Sequence, residues 1–255
     1  MNEPVIVAAK RTAFGKYGGT LRHLEPEQLM KPLFQYYSDL DSNVMQDIDE
    51  VVLGNVIGNG GNIARKALLE AGLNERIPGI TLDQQCGSGL AAIQYACRMI
   101  QAGAGKIYLA GGVESSSRAP WKIKRPQSVY ETQLPQFYDR ASFAPEGQDP
   151  SMIEAAENVA QQFNISRAMQ DQYTLQSYER TQRNAVTSIL SLTVKGQSFF
   201  RDESVKSQVN ERFLSRLKPL ISGGTVTAGN SCTAFSYGKR NRNTSGLYAR
   251  STIYG

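Results

Sequence analysis

The sequence is poor in the residues that build metal and redox sites. It has 255 residues but one histidine, one tryptophan and three cysteines. The sole histidine, His23, falls in a polar loop, Thr20-Leu21-Arg22-His23-Leu24-Glu25, where a solvated ring is expected and no partner for a metal is in view. An odd number of cysteines without paired C-x-x-C spacing excludes a disulfide framework and a structural zinc site. Cys97 follows Cys86 by 11 residues. On one helix that is roughly 16 Å, beyond disulfide reach, so Cys97 is expected to pack in the core. No apolar run approaches the ~18 residues of a membrane span, and Val5–Ala9 is too short and lacks the basic lead of a signal peptide. A cytoplasmic protein with no membrane partner is the expectation.

Acidic residues are absent from Ser231 to the end, where Lys239, Arg240, Arg242 and Arg250 stand. Those four cations account for most of the net charge of +5. The remaining basic stretch, Arg118–Arg125, lies over no recognisable nucleic-acid-binding fold, so no nucleic-acid partner is expected. With 40% hydrophobic and 20% charged residues the chain can bury a sizeable core in one or two domains.

What is present alternates. Pro4–Ala9 reads as a buried strand and is followed by a glycine-rich loop, Lys10–Leu21. A helix over Glu27–Tyr37 follows despite Pro32, then a strand over Asp49–Val56, a helix over Ile63–Ala71 stopped by Gly72, and a strand over Ile77–Leu82. Leu90–Ile100 is apolar nearly all round, as a buried helix would be, and Lys106–Ser115 is a further buried strand. Gly58-Asn59-Gly60-Gly61 has neither Rossmann spacing nor the P-loop Lys-Ser/Thr, and is read as a strand-to-helix turn. The alternation predicts an α/β layer structure with a mainly parallel sheet and helices on both faces. From Ser117 to Asp149 the chain turns irregular, rich in proline, basic and aromatic residues; helices over Ser151–Phe163 and Ser166–Ala185 come next, the second capped by Ser166.

The densest chemistry is Asp83-Gln84-Gln85-Cys86-Gly87-Ser88-Gly89-Leu90, a strand end, a cysteine and two glycines opening a helix. Backbone N–H groups and the positive end of the helix dipole favour a thiolate at Cys86, and the glycines leave room for a substrate. A buried, inert cysteine is the competing reading.

This stretch resembles the N-terminal active-site motif of thiolases, acyl-CoA acyltransferases that make or cleave 3-ketoacyl-CoA. The resemblance extends to Arg11-Thr12-Ala13-Phe14-Gly15, to Ala110-Gly111-Gly112-Val113-Glu114-Ser115 and to Gly224-Thr225-Val226-Thr227-Ala228-Gly229-Asn230-Ser231. It implies a thiolase-like N-terminal layered domain (1–117) carrying the nucleophile, a loop domain over 118–222 that covers the substrate, and a return to the first domain at 223–232. It also implies that Cys86 carries the acyl thioester, and that CoA is met near Ser151, Met152 and Cys232. Many relatives have a histidine in place of Ser151 and a serine in place of Cys232. The implied activity is of the acetyl-CoA C-acetyltransferase type, with CoA thioesters as substrates and no cofactor, in homo-oligomers.

The likeness runs from about Pro4 to Cys232. A second domain, the Gly-His-Pro motif whose histidine activates the first cysteine, and a second, acid/base cysteine do not follow. Back-translated with permitted codons and read one nucleotide later, Phe235–Leu247 becomes thiolase-like, so the expectation is a frameshift after Cys232. Residues 233–255 would then be a disordered, non-family tail and the product truncated, inactive and poorly soluble. A 3-ketoacyl synthase fits the motifs less well; a non-catalytic acyl-CoA-binding or subunit-interaction fragment and a chain completed by a partner stay open.

Overall fold

The computed structural model describes residues 2–231 except 59, 129, 131, 133, 139–141, 184–186 and 207, together with the backbone of 252–254. Its elements are β1 (Ala9–Thr12), α1 (Pro26–Leu40), α2 (Ser42–Gln46), β2 (Glu50–Gly54), α3 (Ile63–Glu70), β3 (Gly79–Leu82), α4 (Ser88–Ala102), β4 (Tyr108–Gly112), α5 (Met152–Gln162), α6 (Arg167–Arg183), β5 (Ile189–Leu190), β6 (Leu192–Val194), β7 (Gln197–Phe199), α7 (Glu211–Ser215) and β8 (Thr252–Tyr254).

The chain forms two compact units, one of 1–120, 186–203 and 247–255, the other of 121–185 and 204–246. This division differs in two places from the one that the resemblance implies. Residues 186–203 belong to the first unit because β5 pairs with β1 and Asp202 binds Arg11 with both oxygens, at 2.8 and 3.0 Å. Residues 223–231 belong to the second, where Glu157 of α5 accepts hydrogen bonds from Thr225 and Val226.

The first unit is a mixed, mainly parallel sheet in the order β3-β2-β4-β8-β1-β5, with only β8 antiparallel to its neighbours. Side chains on a strand alternate between faces, and β2 shows both sides of that rule. Val51 and Leu53 join Leu29, Leu33, Phe34, Ile63 and Leu68, so α1 and α3 cover one face. Val52 joins Ala92 and Ala96, so α4 covers the other. Helix α1 forms where a proline at its first position and the Gln28 side chain, which accepts from Glu25 N at 2.8 Å, satisfy the helix start.

Strand β1 lies further along than its apolar run suggests. Val5, Ile6 and Val7 are 70%, 61% and 85% exposed and outside any strand, and pairing begins at Ala9. Of the tail, 252–254 form β8 and 233–251 lie outside the described residues.

The second unit holds α5, α6 and α7 and an isolated antiparallel bridge between Ile123 and Phe137. Around that bridge Lys124 N donates to Gln136 O at 2.8 Å and Tyr138 N to Lys122 O at 3.0 Å.

Candidate functional site

In the first unit the C-terminal ends of three parallel strands lie side by side: Gly54 of β2 is in register with Leu82 of β3 and with Gly112 of β4. Ligand sites collect at such ends. The chain leaves β3 through Asp83–Gly87 and enters α4 at Ser88, directly over Gly54. A Cβ built on Gly54 would come within 2.5 Å of the Ser88 carbonyl carbon and 2.7 Å of Gly89 N, both backbone atoms, so only glycine lets the helix start rest here. Cys86 is exposed at this point, one residue before the helix cap Gly87. The buried-cysteine reading of Cys86 is thus set aside, while Cys97, further along α4, is half-buried.

The turn carrying Cys86 is tied by Ser88, whose hydroxyl donates to Gln85 O at 2.6 Å and accepts from Gln84 N at 2.8 Å. Gln85 N donates to Asp83 Oδ1 at 2.9 Å. Gln85 itself is left-handed, with φ 52°.

Beside these strand ends, Glu114 is buried just past β4. Its carboxylate accepts from Asn55 Nδ2 (3.0 Å), Val56 N (2.9 Å) and Ile57 N (3.1 Å), and Asn55 Nδ2 also reaches Val113 O at 2.8 Å. The loops after β2 and β4 are thereby locked together. Burial pushes the Glu114 carboxyl up, and the bonds from Val56, Ile57 and Asn55 offset that only in part. A carboxyl raised in the folded state binds its proton more tightly than in the unfolded chain. Its contribution is therefore fully present below the ordinary glutamate range and is lost as pH rises through the raised value. Glu114→Gln is expected to flatten this part of the stability profile; urea melts from pH 4 to 7 that keep the same slope in both proteins would contradict it.

In the second unit, Ser151 and Met152 open α5. The Ser151 hydroxyl accepts from Glu154 N (3.2 Å) and the Glu154 carboxylate from Ser151 N (2.7 Å), so Ser151 caps the helix; Met152 is exposed. The segment 224–231 is organised by buried polar groups. Glu157 accepts from Thr225 N and Val226 N, each at 2.7 Å, and from Thr225 Oγ1 at 3.0 Å. Asn230 accepts from Thr227 N at 2.7 Å and donates to Gln170, Asp171 and Thr225, while Arg167 ties Asp171 at 2.7 Å. A Cβ at Gly224 would meet the Glu157 carboxylate. Cys232 lies outside the described residues.

Of the sequence candidates, Cys86 is in the first unit and Ser151 and Met152 in the second. Glu114 and Asn230 stand inside the motifs quoted above but were given no role, and Asn55 and Glu157 were not singled out by sequence reasoning. Their signal was a polar residue inside or next to an apolar run, which is indistinguishable from an exposed position until its donors are known. Among the described residues no group of three or more His, Cys, Asp or Glu could hold a metal ion, and no helix is long and apolar enough to cross a membrane.

Residues 4–234 match the family model "Thiolase, N-terminal domain". The chain is 65% identical over 237 residues to a Staphylococcus aureus (strain COL) protein named "Putative acetyl-CoA C-acetyltransferase VraB", and 64% identical to its Staphylococcus haemolyticus counterpart of the same name. In both cases the match takes in 91% of this chain and 62% of the relative, so the chain spans less than two thirds of the length of these curated relatives. Among solved structures, the Bacillus anthracis acetyl-CoA acetyltransferase superposes with a TM-score of 0.83 at 30% identity, over 99% of this chain and 64% of that one. Human mitochondrial 3-ketoacyl-CoA thiolase in complex with CoA gives 0.82 at 27%, with the same coverage.

Proposed function

The chain belongs to the thiolase family, whose N-terminal domain it matches over 4–234, and from that premise we propose that Cys86 is the acyl carrier of an acetyl-CoA C-acetyltransferase reaction. The observation that carries this reading is the exposed thiol at the start of α4, over the aligned ends of three parallel strands. The Cys86 thiolate attacks the thioester carbonyl of acetyl-CoA; the carbon–sulfur bond to CoA breaks, CoA leaves as its thiolate and takes up a proton, and an acetyl thioester remains on Cys86. In the second half-reaction the α-carbon of another acetyl-CoA, stripped of a proton, attacks that thioester, forming a carbon–carbon bond and releasing the Cys86 thiolate.

The second half-reaction needs a base and donors for the enolate oxygen. General acid–base catalysis is worth roughly 10² to 10⁴ and one oxyanion donor about 10² to 10³. The one histidine of these 255 residues, His23, is exposed in an early loop. These residues therefore supply acylation and, by themselves, little turnover. Ser151 and Met152, with Cys232, are proposed to meet the CoA portion; the Ser151 hydroxyl does so while capping α5.

The test is to incubate the full chain with acetyl-labelled acetyl-CoA and map the label. A label confined to the Cys86 peptide and absent from Cys86→Ala supports the reading. No label on Cys86, with the thiol still open to alkylation, sinks it. A second reading, an acyl-CoA-binding protein without chemistry, is favoured by the polar network that organises 224–231 with no part played by Cys86. Undiminished CoA binding in Cys86→Ala together with an unlabelled native protein would select it.

A further inference from the structure

Gln85 is held in a state that disfavours it twice over. Its φ of 52° is left-handed, where the Cβ of an unbranched side chain crowds its own backbone. Its side-chain Oε1 is buried with no hydrogen-bond partner, whereas buried polar atoms are normally paired. The other two described non-glycine residues with positive φ have ordinary reasons for it: Asn164 follows the end of α5, and Lys195 is in the tight turn between β6 and β7. Gln85 too stands in a tight turn, where Gly87 N donates to Gln84 O at 3.1 Å, but of the three it alone immediately precedes an exposed cysteine.

The surroundings over-determine the conformation. Asp83 holds Gln85 N, and Gln85 O receives both Ser88 N (3.0 Å) and the Ser88 hydroxyl (2.6 Å). Ser88 is 4% exposed, so this clamp is anchored in the interior against Gly54. Unfavourable local geometry that is firmly held, next to a reactive group, marks a position kept for its effect on that group.

We propose that Gln85 is a positioning residue. Its left-handed backbone turns the chain midway between the end of β3 at Leu82 and the start of α4 at Ser88 so that Cys86 stands outward over the strand ends, and its half-buried side chain keeps the turn from relaxing. This rests on the reading of Cys86 as the acyl carrier. A glycine would adopt the same φ without strain but would be free to leave it; an asparagine tolerates the left-handed region and keeps an amide.

The experiment uses the full chain and follows iodoacetamide alkylation of Cys86 by peptide mapping, with Cys97 as internal control and a thermal melt of each variant. Gln85→Gly is expected to melt no lower than the native protein yet to alkylate at Cys86 about tenfold more slowly or worse, because small misplacements of a reacting atom are costly. Gln85→Asn is expected to recover most of the native rate, and Cys97 to be unaffected throughout. A merely structural residue would instead lower the melt and move both cysteines together. Should Gln85→Gly fail to fold, Ser88→Ala, which removes the clamp, is read in the same way. An unchanged Cys86 rate in Gln85→Gly, or in Ser88→Ala where that stands in, overturns the proposal. Alkylation needs no CoA, so an absence of acetyl labelling would count against the acyl-carrier reading and leave this result to be read separately.

Discussion

Gly54→Ala is expected to lower stability by about 3 kcal/mol and to silence Cys86 at the same time. Inserting a methyl group into a filled interior typically costs about 1–3 kcal/mol. This one belongs at the upper end, because the atoms it meets are Ser88 C at 2.5 Å, Gly89 N at 2.7 Å and Ser88 Cβ at 2.7 Å, and none is the free end of a flexible side chain. The gain from restricting the unfolded chain, about 0.4–1 kcal/mol for glycine to alanine, does not offset it. Relief can come only from lifting the start of α4 off the sheet, which carries the Cys86 turn with it. Urea unfolding followed by circular dichroism measures the first effect and the alkylation rate of Cys86 the second. Native stability with native reactivity would show that the helix start does not rest on β2 as described.

The second large effect lies in the other unit. Glu157→Ala withdraws the acceptor from two backbone N–H groups and one hydroxyl, at 2.7, 2.7 and 3.0 Å. A buried donor left unpaired costs about 1–3 kcal/mol, so with partial rehydration a loss of about 4 kcal/mol is expected. Segment 224–231 should loosen with it. Burial pushes the Glu157 carboxyl up, but the bonds from Val226 and Thr225 together outweigh burial and hold it below the ordinary range. For a carboxyl lowered in the folded state, the stability is present above the unfolded value near 4.5 and is lost as pH falls through the lowered one. The gap between native protein and Glu157→Ala should therefore narrow as pH drops from 5 towards 3. A gap that stays constant across that range would mean that the charge on Glu157 contributes nothing.

Much of the architecture was legible because it rests on local signals. Helix α1 (Pro26–Leu40) was read over Glu27–Tyr37 and α5 (Met152–Gln162) over Ser151–Phe163, each from its own run of residues. The turn that carries Cys86 was legible for the same reason, since strand end, cysteine, glycines and helix are consecutive. What sequence reasoning placed wrongly or passed over depends on remote partners. The run Val5–Val7 has every local mark of a strand, yet β1 begins at Ala9, because its register is decided by Ile189 and Leu190 of β5 and by β8, far along the chain. Strands β5, β6 and β7 are two or three residues long and carry no readable period. The apolar character of α4 foretold burial on every side, yet its buried residues are only Ser88, Ala92 and Ala96, and Leu90 is 63% exposed. Composition tells how apolar a face is, and says nothing of what covers it. Glu157 was illegible, and Glu114 was read only as a member of a motif, because a carboxylate reads as surface until donors 57 to 69 residues away are seen to close on it.

The pairing of β1 with β5 also dictates an order of events during synthesis. Arg11 and Thr12 find their parallel partners at Ile189 and Leu190, and the Arg11 guanidinium its carboxylate at Asp202. At ribosomal speeds of about 5–20 residues per second, this edge of β1 emerges roughly 10–40 s before β5 exists to cover it. All of α5 and α6 is made in that interval, since the chain leaves the first unit at 120 and re-enters it at 186. The β5 edge of β1 is thus closed only after the whole insertion has been made. Until then that edge is open to pairing with another strand nearby.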